Sequence, residues 1–309
     1  VSLIVASLVL AVGLAILVLG ADALVKASAS LARRVGISEF VVGVTVVAFG
    51  TSAPELFASV GAVLQGQPDL AVGNVVGSNI ANILLILGAG GVIAPIAMQR
   101  RVRLVEIPIM AGITGLTIAL LLDQQLGRVE GALLMAGLVA YVVVAVRGGA
   151  VDPGEALPDE PGSLGRDLLF TALGIAGLAL GARAVVEGAV VIAARAGVPE
   201  GVIGTTVVAF GTSLPELAAT VRAAIARKSD IAVGNIVGSN VFNLLSVLGA
   251  CAVVTPVFTP DAMMRHVWIM GAVTALLLVY ALARPVIGRW IGVGFLAAYL
   301  VYVILAYRP

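Results

Sequence analysis

Apolar runs of about 20 residues, each long enough to cross a hydrocarbon layer roughly 30 Å thick, recur from one end of this sequence to the other. About ten can be delimited, at 3–25, 39–64, 69–95, 104–122, 129–147, 166–190, 199–225, 230–256, 264–283 and 286–307. Lipid offers backbone groups no hydrogen-bonding partner, so spanning segments must be helices or the strands of a closed barrel. Runs this long without strict alternation are helices. The composition agrees: the 309 residues are 61% hydrophobic and only 11% charged, which leaves little chain for a water-soluble domain. The expected fold class is an all-α membrane protein.

The first run lacks the basic start of a cleaved signal peptide and leads into more membrane sequence, so it reads as a retained helix. The single cysteine, Cys251, lies in an apolar run and reads as a small core residue, since one cysteine permits neither an internal disulfide nor a thiolate cluster. The lone histidine, His266, follows Arg265 at the start of a run, a place that suits an interfacial role better than catalysis. Charge then orients the chain. With the amino terminus outside, 13 of the 18 Lys and Arg residues collect towards the inner side, among them Arg33, Arg34, Arg100, Arg101, Arg147, Arg227 and Lys228. Both termini are therefore expected outside a plasma membrane. The stretch "GGAVDPGEALPDEPGSLG", residues 148–165, is rich in Gly, Pro and acids and reads as a flexible linker on the inner side.

The chain is also one unit written twice. A shift of 161 residues lays Gly43–Gly90 over Gly204–Cys251, and 29 of the 48 positions agree without a gap. At the same offset Gly20-Ala21 meets Gly181-Ala182, Pro95 meets Pro256, and "GRVEGALLMAGLVAY" meets "GRWIGVGFLAAYLVY". The organisation expected is a first five-helix repeat over 1–148, a cytoplasmic linker over 149–165 and a second repeat over 166–309. Five is odd, so the second repeat must cross the membrane in the opposite sense. Inverted pairs of this kind are typical of secondary transporters, with the binding site near the midplane where the halves meet.

Agreement between the repeats is strongest in two polar blocks, "GTSAPE" with "GNVVGSNIAN" and "GTSLPE" with "GNIVGSNVFN". Pro54 and Pro215 each remove a backbone donor, so a carbonyl near Gly50 or Gly211 loses its helical partner and the spans should be interrupted at the midplane. A freed carbonyl in a membrane must coordinate something or line a wet cavity. The same residues also fit a capping box that restarts a helix, with Ser52 and Ser213 as caps for Glu55 and Glu216. Against capping alone stands the cost of an ionised carboxylate at the bilayer centre, on the order of 3 kcal/mol or more unless it is paired. No basic residue lies within either motif. A cation shared between Glu55 and Glu216 would neutralise both. Thr51 and Glu55 share a face if their helix is continuous, and Asn74, Ser78 and Asn82, like Asn235, Ser239 and Asn243, fall at four-residue steps along one stripe. For Asn74 and Asn235, helix–helix packing and ion binding are equally good readings. Oxygen ligands without sulfur or imidazole suit hard cations.

The paired blocks resemble the two alpha-repeats of the cation/calcium exchanger superfamily, on the sodium/calcium exchanger branch of prokaryotic type, and the ten-span layout extends the likeness over nearly the whole chain. The resemblance implies an antiporter that exchanges sodium for calcium by alternating access and needs no cofactor; Ca²⁺ and Na⁺ are its substrates and the bilayer its setting. It implies ion sites lined by Thr51, Ser52, Glu55, Ser78 and Asn82 of the first half and Thr212, Ser213, Glu216, Ser239 and Asn243 of the second, completed by the carbonyls of Ala48 and Ala209. Several relatives carry aspartate where Asn243 stands, which puts potassium co-transport in doubt here. A proton/calcium antiporter of the same superfamily is the alternative, and a cation channel a more distant one. An intramembrane hydrolase using Ser52 or Ser213 lacks a base and a complete nucleophile elbow.

Overall fold

The computed structural model describes residues 2–148, 163–197 and 209–306. Nearly all of this is helix. Nine helices among the described residues are long and apolar enough to cross a membrane. They are α1 (Leu3–Val35), α2 (Glu39–Leu64), α3 (Pro68–Ile93), α4 (Val102–Leu120), α5 (Arg128–Gly148), α6 (Leu164–Arg195), α8 (Ser229–Val254), α9 (Asp261–Ala283) and α10 (Arg289–Ala306). The expected span at 199–225 lies partly outside the described residues. Its visible part is a single turn, Ala209–Thr212, followed by α7, Leu214–Ile225.

α1 and α6 run well past the ends read from hydropathy. At 33 residues α1 is about 50 Å long, more than a hydrocarbon layer needs, so it must tilt or project. Lys26, Arg33 and Arg34 continue the helix instead of ending it, and Gly36, at φ 73°, supplies the left-handed cap that stops it. α6 starts at Leu164, where the Ser163 hydroxyl accepts from the Arg166 amide at 3.2 Å. The linker expected at 149–165 falls almost wholly outside the described residues.

The two long helices pack on each other over most of their length, and glycine permits it. A Cβ added at Gly181 would stand 2.6 Å from the Leu17 nitrogen, one at Gly20 2.8 Å from that of Leu178, and one at Gly174 2.7 Å from that of Leu24. Backbones approach this closely only where the side chain is missing. The contacts also give the direction: as Leu17, Gly20 and Leu24 ascend, their partners Gly181, Leu178 and Gly174 descend, so the pair is antiparallel. α1 and α6 are equivalent under the 161-residue shift, so the two repeats are inverted.

The same swapped symmetry ties the rest together. Strands β1 (Ile96–Ala97) and β4 (Val286–Ile287) pair antiparallel, and so do β2 (Gln125–Leu126) and β3 (Val257–Phe258), which is the first pairing with its halves exchanged. Gly88 of α3 meets Gly292 of α10, and Gly131 of α5 meets Gly249 of α8. The fifth helix of each half is thus packed on the third helix of the other. Charged loops follow suit: Lys228 reaches Glu39 at 2.7 Å and Gln99 reaches Asp230 at 2.6 Å, while Gln124 meets Asp261 at 2.5 Å.

The interruptions expected at the polar blocks take two forms. α2 stays helical through Pro54, and its irregularity lies about two turns earlier, in a π-helical segment over Gly43–Val47 where the Thr45 hydroxyl donates to the Val41 carbonyl at 2.6 Å. In the second half the helix breaks at Ser213, whose φ of −89° and ψ of 5° separate the single turn from α7. Further π segments begin at the equivalent residues Asn82 and Asn243.

Candidate functional site

Four helical segments meet around the polar blocks. Continuity of α2 places Ala48, Thr51, Ser52 and Glu55 on it, and α3 carries Ser78 and then Asn82 at the start of its π segment. Ala209 and Thr212 open and close the single turn, Ser213 is the break, Glu216 lies in the first turn of α7, and α8 carries Ser239 and Asn243. Both glutamates are 1% exposed.

Each glutamate is met from the opposite half. The Ser52 hydroxyl donates to Glu216 Oε1 at 2.9 Å, and Ser213 donates to Glu55 Oε1 at 3.5 Å, the same contact with the halves exchanged. The Ser78 and Ser213 hydroxyls lie 3.2 Å apart. Ser213 makes no capping bond to its own helix and Ser52 lies inside α2, so these serines serve the opposing carboxylates and not a capping box. The structure therefore brings together Ser52, Glu55, Ser78, Ser213 and Glu216.

The threonines bond to the asparagines of the opposite half. Thr51 donates to Asn235 Oδ1 at 3.1 Å and to the Ala48 carbonyl at 3.3 Å, and Thr212 donates to Asn74 Oδ1 at 3.3 Å. Asn74 Nδ2 in turn reaches Ser59 at 2.9 Å, and Asn235 Nδ2 reaches Thr220 at 2.9 Å. These two amides bond helix to helix and half to half. Ser59 and Thr220 went unnoticed in the sequence, although the shared hydroxyl at equivalent positions is a signal. Asn240 was also missed.

Within the two polar blocks, several buried polar atoms have no hydrogen-bond partner among the described residues: Oε2 of Glu55 and of Glu216, Oδ1 of Asn82, the Ser239 hydroxyl, and both amide atoms of Asn243; the hydroxyls of Ser28, Thr171 and Thr259 are of the same kind elsewhere. Orphaned buried groups are rare because each costs about 1–3 kcal/mol, and more for a charge. Among the described residues no Lys, Arg or His forms an ion pair with either glutamate. Nor does any group of three His, Cys, Asp or Glu side chains gather among the described residues, where the site offers two carboxylates and neutral oxygens. Such a set suits a hard cation.

Inverted repeats wrapped around a buried, acid-bearing polar centre define a membrane transporter. The profile of the sodium/calcium exchanger protein family matches residues 5–147 and 167–308, one segment for each repeat. The chain belongs to that family, which is one of cation exchangers and not of enzymes. It is 39% identical over 293 residues to the putative antiporter CaxA of Alkalimonas amylolytica, covering 91% of each chain. It is 30% identical to the sodium/calcium exchanger MaX1 of Methanosarcina acetivorans, over 97% of this chain and 98% of that one. Among solved structures, the sodium-calcium exchanger NCX_Mj soaked with Na⁺ and Sr²⁺ superposes with a TM-score of 0.88 at 30% identity, covering 100% of both chains.

Proposed function

We propose that this protein exchanges sodium for calcium by alternating access, using one site shared between the halves. The observation that carries the reading is the pair of buried carboxylates, Glu55 and Glu216, each bonded by a serine of the other half and neither compensated by a basic side chain among the described residues. Two negative charges balance one Ca²⁺, or hold sodium ions with help from neutral oxygens. Competition for the same charge couples the two fluxes. The ligands are Glu55, Glu216, Ser52, Ser213, Ser78, Ser239, Asn82 and Asn243, with Thr51 and Thr212 and the carbonyls of Ala48 and Ala209 completing the walls. The sequence-related exchangers named for sodium and calcium support this ion pair.

The repeats are 1–148 and 166–309, joined by the 149–165 segment on the inner side of a plasma membrane, with both termini outside. This orientation follows the basic residues, and the contacts between loops support its consistency. β1 with β4, Lys228 with Glu39 and Gln99 with Asp230 all join loops assigned inside, whereas β2 with β3 and Gln124 with Asp261 join loops assigned outside. The antiparallel pair α1 and α6, smooth with glycine, is the element that moves across the fixed core to open the site to each side in turn.

The test is uptake of radioactive calcium into liposomes holding the purified protein, with an outward sodium gradient, an outward proton gradient or neither. Sodium-driven uptake is the expected result. Uptake driven by protons alone would transfer the same site to proton/calcium exchange, and calcium flux without any counter-ion gradient would point to a channel.

A further inference from the structure

Asn240 takes no place among the ligands, yet it is buried at 2% exposure with both ends of its amide committed. Its Oδ1 accepts from Asn82 Nδ2 at 3.3 Å, and its own Nδ2 reaches the sulfur of Met110, on α4, at 3.6 Å. A primary amide holds its nitrogen and oxygen in one plane on the same carbon, pointing in different directions. Turning Asn82 Nδ2 towards Asn240 therefore turns Asn82 Oδ1 away from it, and that oxygen is one of the buried atoms without a partner.

The exchanged half is built differently. Asn79, the counterpart of Asn240, bends back to the Val75 carbonyl of its own helix at 2.7 Å. Asn243, the counterpart of Asn82, is left with no partner for either amide atom. One asparagine of the pair is held by a hydrogen bond and the other is not.

We propose that Asn240 is a positioning residue for transport: it fixes the Asn82 amide so that its carbonyl oxygen faces the ions, with Met110 setting the far end of the relay. The proposal rests on the reading of Asn82 as a cation ligand. A fixed neutral oxygen matters more to sodium than to calcium. The two carboxylates together balance a divalent ion, whereas sodium ions spread over the site draw more heavily on neutral donors. Partners that orient a ligand without touching the ion commonly change affinity by 10- to 100-fold when removed.

The experiment compares Asn240→Leu, Asn82→Ala and the double variant in liposomes, recording half-saturating sodium, half-saturating calcium and maximal rate. Asn240→Leu should raise half-saturating sodium about tenfold and leave that for calcium within about threefold. The double variant should need no more sodium than Asn82→Ala alone, because Asn240 acts through Asn82. Additive effects, or a lower maximal rate with both half-saturating values unchanged, would overturn the proposal and leave Asn240 a packing residue. If Asn82→Ala itself alters neither ion's affinity, the assignment of Asn82 to the site fails, and the proposal with it. Should the leucine variant not fold, Asn240→Ser, too short to reach Asn82, replaces it under the same criteria.

Discussion

In the proposed exchange Glu55 and Glu216 carry the charge of the site, and each admits a direct test. Glu55→Gln or Glu216→Gln keeps the size of the side chain and removes one of the two charges, so calcium uptake should fall to the level of empty liposomes while the protein still elutes as a single folded species. Normal calcium flux in either variant would overturn the site. Asn243→Asp adds a titratable group where both amide atoms now lack partners. Its charge is present at high pH and neutralised on acidification, so the variant should diverge from the parent at high pH and converge with it as pH falls. An unchanged pH profile would place this position away from the ions. At this scale the sequence revealed the residue types but not their pairings. Asn74 and Asn82 stand on one stripe of the same helix, yet one bonds Ser59 and the other crosses to Asn240. Which side of a helix meets which neighbour depends on packing that no single helix contains.

Among the elements, the antiparallel contact of α1 with α6 is the one most sensitive to a single atom. Gly181→Leu would drive a side chain into the Leu17 backbone, and the expected cost is about 1–3 kcal/mol, read as a lower midpoint of thermal unfolding in detergent, together with slower transport. An unaltered midpoint would mean that the helices are not in such close contact. These helices extend beyond the ends that hydropathy predicts for a physical reason: a helix ends where its caps are, not where the lipid does. Asp22 neutralises Lys26 at 2.8 Å within α1 and also holds Arg222 of α7 at 2.7 Å, so charges that looked like a loop continue the helix. A break beside Pro215 is legible in the sequence and lies at Ser213, whereas the equivalent Pro54 leaves α2 helical, with its π segment over Gly43–Val47.

For the whole molecule, the repeats are interleaved and not merely abutted, since β1 pairs with β4, β2 with β3, and each half supplies the serine that bonds the other's glutamate. Expressed as separate chains divided within 149–162, the halves should assemble together and transport when co-expressed, and neither should yield stable protein alone. A stable, monodisperse single half would contradict this. The interleaving also bears on function, because a site whose two charges come from opposite halves can be reshaped by any motion of one half against the other. By itself the sequence determined the solvent, the helical class, the duplication and its inversion. These depend on composition, span count and a self-similarity that survive without coordinates. Only the tertiary structure decided which hydroxyl meets which carboxylate, which partner each asparagine takes, and that Asn240 bonds Asn82. Those contacts join residues more than 130 positions apart, and their partners are selected by helix packing in three dimensions, not by spacing along the chain.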